Sequence, residues 1–370
     1  MTTKKANWLF LTTILVHIGV VLFLNFAGDR ISMGIIMNFV LSEGILMVPT
    51  LLFLLVFEWG KRPSEPGVYG MEPAVPNTSR PFEAAAFHKV KITTLLMIAL
   101  CTFLVMPLVV VLNALSMFFA DNAMASLQGD IVDTPFPVML FMIGIFGPFC
   151  EEFVFRGVIY RSYRRKEGKI NSERYNNVCG GGIRAILLSA FLFGLMHMNF
   201  NQMFYAFAMG ILLALLVEAA GSLWASVFCH MFFNSIEVVL MYVSSHVLGS
   251  ASGKTAGEAA EKAVAAVTTQ ALMAALSIYL IIAAVTTPIA VCAVIWIAKN
   301  EGRQEAFAAL FARRRVGQQT GNVGHPQAGQ GRQGMPQAEA QTETSGYLLS
   351  VPLIVAVVLC FGYMSLEFFL

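Results

Sequence analysis

Long apolar runs, separated by short polar stretches, set the pattern of this chain. Nine can be drawn, at residues 8–26, 33–57, 92–119, 137–160, 183–198, 203–218, 223–248, 272–298 and 348–370. A helix of roughly 20 apolar residues crosses a bilayer core, so each run is a candidate span. The fifth and sixth runs are short, which predicts re-entrant or tilted geometry there. Residues 249–266 are Ala/Gly-rich and polar, and predict an external loop or a short amphipathic helix. Residues 316–346 are Gln/Gly-rich with few large apolar side chains, and predict a disordered cytoplasmic linker. That linker sets the last run apart, so the final span reads as a peripheral addition.

Composition agrees with the pattern. The chain is 57% hydrophobic and 12% charged, whereas a soluble domain carries about 25% charged residues. The fold class expected is all-α, a polytopic helical membrane protein with about 8–9 transmembrane helices. The partner this implies is the lipid bilayer. A net charge of +2 gives no ground for a nucleic-acid partner. The six cysteines are scattered without C-x-x-C pairs and read as small buried hydrophobes, not as a disulfide framework or a structural zinc site. Lys4 and Lys5 precede the first run, but no small-x-small cleavage site follows it. The run reads as a retained span with its N-terminus inside.

Basic residues give a check on orientation. They cluster after the second run (Lys61, Arg62, Arg80, Lys89, Lys91), the fourth (Arg161, Arg164, Arg165, Lys166, Lys169, Arg174) and the eighth (Lys299, Arg303, Arg313, Arg314, Arg315). The loop after the third run is acidic, with Asp121, Asp130 and Asp133. Nine spans with a cytoplasmic N-terminus put every basic loop in the cytoplasm and the C-terminus outside.

Three apolar runs carry groups that such runs rarely tolerate. The fourth holds Glu151, Glu152 and Arg156, and one ionised side chain near the centre of a spanning helix costs roughly 2.5–3.5 kcal/mol. Glu152 and Arg156 are four apart and share a helix face, which allows an ion pair. Glu151 is about 100° round the helix and faces something else. Facing a small watery cavity, it suits a general base. Pro148 lies just upstream, where a helix would start or kink and leave backbone donors free. An ion pair joining two helices is the structural alternative for Glu152 and Arg156.

The fifth run holds Phe193 and His197, again four apart, with Gly194 between them permitting close approach of a neighbouring helix. The seventh holds His230 and Asn234 at the same spacing, two donors able to face one developing oxyanion. Histidines at this spacing also chelate zinc, but asparagine is a poor zinc ligand and no H-E-x-x-H is present. Cys150 and Cys229 adjoin the motifs yet point away from them, so activated water fits better than a covalent intermediate. Glu43, Glu218 and Glu237 lie in or at the ends of runs. Glu237 falls roughly on the His230 face, and Glu218 reads as an interface residue.

The three elements, Glu151-Glu152-x-x-x-Arg156, Phe193-x-x-x-His197 and His230-x-x-x-Asn234, resemble in kind and order the CAAX prenyl endopeptidases of the second type and their bacterial relatives, the CPBP family. The match covers about residues 137–248, and the stretch from Gly210 to Gly221-Ser222-Leu223-Trp224 looks like the bacterial branch. The resemblance implies a conical helical protease core and a membrane endopeptidase of glutamate type, historically described as a metalloendopeptidase. It implies that Glu151 and His197 activate water, that His230 and Asn234 stabilise the oxyanion, and that Glu152, Arg156 and Phe193 support the site. No cofactor is then needed, with zinc-dependent hydrolysis through the same residues as an alternative. The substrate expected is a membrane-associated peptide or protein, at a bacterial plasma membrane. A second alternative is a non-proteolytic scaffold or bacteriocin-immunity protein.

The domain organisation expected is an N-terminal transmembrane region at 1–136, a catalytic core at 137–248, and an external loop with the eighth span at 249–300. A basic, then Gln/Gly-rich cytoplasmic linker at 301–346 and a C-terminal span at 347–370 complete it.

Overall fold

The computed structural model describes residues 1–28, 33–58, 87–120, 122, 125, 127–164, 182–311 and 348–366. Within them every apolar run is helical, and no strand is present among the described residues. In chain order the main helices are α1 (Thr3–Ala27), α2 (Ile35–Glu58), α3 (Ile92–Ser116) and α4 (Phe136–Arg164). They continue as α5 (Gly182–Met196), α6 (Phe200–Ala220), α7 (Leu223–Ser252), α8 (Ala256–Ala265), α9 (Thr269–Asn300) and α10 (Val351–Leu366).

Seven of these, α1–α4, α6, α7 and α9, are long and apolar enough to cross a bilayer. The protein is a multi-pass helical membrane protein. Its surface carries large exposed apolar side chains on the outer helices, Phe26, Val56 and Ile281 among them. Such a surface is stable against hydrocarbon and not against water.

The sixth run is not short. Helix α6 has 21 residues, because the Asn199 side chain accepts the Gln202 N–H and starts the helix ahead of the polar pair Asn201-Gln202. The fifth run does stay short, at 15 residues, and α5 ends where Met198 takes a φ of 52° to turn into α6. Beyond α7 the expected short helix is α8, opened by a capping box in which Thr255 and Glu258 satisfy each other's backbone N–H.

The last helix is not peripheral. Helix α10 packs against α1 and α5, and Leu353, Ala356, Cys360 and Met364 on it are fully buried. Asn7 anchors its start, donating to the Leu348 carbonyl at 2.9 Å and to Ser350 Oγ at 2.8 Å, and accepts from Tyr163 at 2.7 Å. A buried amide is costly unless satisfied, and here one amide ties three segments together. The linker at 316–346 and most of the basic loop after α4 lie outside the described residues.

Helices α4 and α6 form the interior. Their apolar windows are 56% and 61% buried, against 28% for α1 and α9 at the rim. Helix α4 is packed by α1, α2, α5, α6 and α7. It neither starts nor breaks at Pro148. Instead it runs through as a π-helical stretch (Leu140–Phe146), an α-helical turn (Gly147–Glu152) and a second π-helical stretch (Phe153–Tyr160). The wider π turn tolerates a residue that lacks an N–H, because the ladder there is already displaced by one position.

Candidate active site

The two glutamates occupy the α-helical turn between the π stretches of α4. Gly147 N–H donates five residues back, to the Met142 carbonyl. In that register the next carbonyl, of Ile143, would be served by Pro148, which has no N–H. A partner comes from α7 instead. Asn234 Nδ2 donates to Ile143 O at 3.1 Å, and Ser235 Oγ donates to Gly144 O at 3.4 Å. The proline, the π turn and the Asn234 amide are therefore one arrangement that sets α7 against the turn bearing the carboxylates.

Glu152 is fully buried, and Arg156 is 1% exposed. Arg156 Nη1 donates to Glu152 Oε1 at 2.7 Å and Nη2 to the Gly210 carbonyl of α6 at 3.3 Å. The guanidinium lies over the Phe193 ring, 4.2 Å from its centroid. This geometry is what a buried charge pair requires, with each ion matched and the cation further covered by an aromatic face.

His230 of α7 joins the two glutamates. Its Nδ1 is 3.0 Å from Glu152 Oε1 and its Nε2 is 3.7 Å from Glu151 Oε2. A carboxylate oxygen only accepts, so Nδ1 carries the proton and donates it to Glu152. The Glu151 side chain is 23% exposed, so it alone of this pair reaches the edge of the cluster.

Phe193 is the hub between the histidines. It meets His230 edge-to-face at 5.8 Å and His197 edge-to-face at 5.1 Å. His197 sits in the turn just beyond α5, and its Nδ1 donates to the Phe193 carbonyl at 2.9 Å. That bond leaves Nε2 as the acceptor when the ring is neutral. Gly194 makes the approach of α5 to α6 possible, since a Cβ there would stand 2.7 Å from the Met203 carbonyl. Glu151, Glu152, Arg156, Phe193 and His230 thus form one contiguous cluster, with His197 joined through Phe193 and Asn234 joined through the α4 backbone.

These motifs fall in one segment of the chain. Residues 133–236 match the family model described as Type II CAAX prenyl endopeptidase Rce1-like. This segment, and not the whole chain, is similar to the Rce1-like family. Two curated relatives are similar to parts of the chain. The Membrane-embedded CAAX protease MroQ of Staphylococcus aureus (strain USA300) is 27% identical over 126 residues, which are 33% of this chain and 47% of that protein. A protein of Bacillus subtilis (strain 168) named as membrane peptidase YdiL is 27% identical over 104 residues, 28% of this chain and 37% of that protein. The chain therefore spans less than half the length of the curated relatives it matches. No solved structure matches it.

Other titratable groups divide into those that meet the Rce1-like cluster and those that do not. Glu218 lies at the far end of α4, where it accepts from Tyr160 at 2.6 Å and from Arg164 at 3.0 Å. It is an interface residue, as the sequence predicts. Glu237 is exposed on α7 and does not join the cluster. Cys229 is buried against Thr102, with 3.3 Å between Sγ and Oγ1. Among the described residues no three His, Cys, Asp or Glu side chains are grouped to hold a metal ion. The residue that motif reasoning missed is Glu43 of α2, which lies on α4 beside Gly147 and outside the Rce1-like segment. Its signal in the sequence is a single carboxylate within an apolar run.

Proposed function

We propose that the protein is an intramembrane endopeptidase that hydrolyses a peptide bond in a membrane-associated peptide or protein. The observation that carries this reading is His230 set between Glu151 and Glu152 in apolar surroundings, at 3.7 Å and 3.0 Å. Bare ion pairing would need Glu152 and Arg156 alone. The second glutamate and the imidazole add a base and a proton donor that packing does not require.

In this reading Glu151 takes a proton from a water molecule as that water's oxygen bonds to the scissile carbonyl carbon. His197, with Nε2 as acceptor, orients the same water. His230 in its doubly protonated form, with Nδ1–H on Glu152 and Nε2–H available to donate, and the second amide N–H of Asn234 face the oxyanion of the tetrahedral intermediate. The proton held on Glu151 then passes to the leaving amine as the C–N bond breaks. Glu152, itself held by Arg156, fixes the orientation of the His230 ring. Helices α4–α7 supply the catalytic core, and the N-terminus and basic loops face the cytoplasm. Removing a general base costs on the order of 10²–10⁴ in rate. Glu151→Gln should therefore abolish peptide cleavage while leaving the folded helical protein intact, and a fully active variant would defeat the reading.

A further inference from the structure

Helix α2 brings a third carboxyl to the α4 turn. Glu43 Oε1 lies 3.2 Å, and its Cδ 3.8 Å, from the point a Cβ on residue 147 would occupy. A side chain at residue 147 would crowd the carboxyl. Gly147 and Glu151 are four apart on α4, so Glu43 rests one turn from Glu151 on the same face. The two carboxyls are close enough to be coupled electrostatically.

Both groups are left incomplete. Glu43 Oε2 and Glu151 Oε2 are sealed from solvent, and neither has a hydrogen-bond partner among the described residues. A buried acceptor without a partner costs about 1–3 kcal/mol, and more when charged. Two carboxylates side by side would also repel. One proton between them removes the repulsion and supplies the missing bond.

We propose that Glu43 is a positioning residue for Glu151. Its protonated carboxyl donates a hydrogen bond to the Glu151 carboxylate and holds the other Glu151 oxygen toward water. This inference rests on Glu151 being the base. It makes α2 part of the reaction apparatus, although no motif in the N-terminal region announces it.

The test uses the full-length protein in lipid nanodiscs, read first by infrared difference spectroscopy. The wild type minus Glu43→Gln should show one carboxylic-acid C=O band, and that band should shift in Glu151→Gln, which replaces the acceptor. No band, or a band that Glu151→Gln leaves unmoved, overturns the pairing. The second readout is kinetic. Glu43→Met should lower kcat by about tenfold or more, equivalent to roughly 1.4 kcal/mol, with KM unchanged. Glu43→Gln, whose amide still donates, should restore most of it. Gly147→Ala, whose Cβ would push the carboxyl aside by only a few tenths of an ångström, should lower kcat less than Glu43→Met. Unchanged kcat in Glu43→Met, or equal loss in the Met and Gln variants, overturns the proposal. A fully active Glu151→Gln contradicts the protease reading instead, and the infrared band then judges the pair independently of cleavage.

Discussion

His230 donates from Nδ1 to Glu152 Oε1 at 3.0 Å, a bond that ties α7 to α4 within the interior of the helix bundle. The same carboxylate oxygen accepts from Arg156 at 2.7 Å. Glu152 is thus the shared acceptor of a cation and an imidazole, and the ring orientation that turns Nε2 toward Glu151 depends on it. Removing one member of a buried charge pair leaves the other uncompensated, at a cost of about 3–5 kcal/mol. Arg156→Met and Glu152→Gln should each lower stability by that order in detergent unfolding. The double variant should recover part of the loss, since no lone charge remains. Simple additivity of the two losses would contradict this account.

Asn234 is expected to show two separable effects. Its amide serves the Ile143 carbonyl at 3.1 Å, and Asn234→Ala leaves that carbonyl without its partner, costing about 1–3 kcal/mol. If its second N–H faces the oxyanion, kcat also falls by about 10²–10³. Ser235→Ala removes only the neighbouring bond to Gly144 and should change stability with little change in kcat. Equal kcat losses in both variants would assign Asn234 to packing alone.

At Gly194 the expected defect is steric. A Cβ there would stand 2.7 Å from the Met203 backbone carbonyl, which cannot swing aside as a flexible side chain can. Gly194→Val should cost about 1–3 kcal/mol or more by overpacking, and should shift Phe193 and His197 with it. A valine variant with wild-type melting temperature and activity would show that α5 and α6 do not need this contact.

The C-terminal helix should stay bound without its covalent tether. With a specific protease site introduced between residues 311 and 348, the cleaved α10 fragment should co-purify with the rest of the wild-type chain. It should dissociate from Asn7→Leu, which loses the bonds to Leu348 and Ser350. Retention in both proteins would place the anchoring in apolar contacts alone.

Much of this arrangement is legible in the sequence, and the parts that are not share a cause. Apolar run length locates nine of the ten main helices among the described residues, because hydrocarbon leaves a spanning backbone few other choices. Spacing of four puts Glu152 with Arg156 and Phe193 with His197, because i and i+4 are neighbours on a helix whatever surrounds it. The start of α6 is misjudged because a local cap at Asn199 outweighs the polar pair that follows it. Pro148 reads as a helix start or kink, while the structure absorbs it in a π turn served by Asn234, a partner 91 residues from Ile143. Glu43 on Gly147 and Asn7 on α10 likewise depend on which helices meet. No local spacing encodes that choice.

The central claim is tested most directly by offering a diverse quenched-fluorescent peptide library to the purified protein in detergent, beside Glu151→Gln, with and without a chelator. The account predicts cleavage that disappears in Glu151→Gln and persists in the chelator. Cleavage that survives in Glu151→Gln, or that the chelator removes and zinc restores, would contradict it.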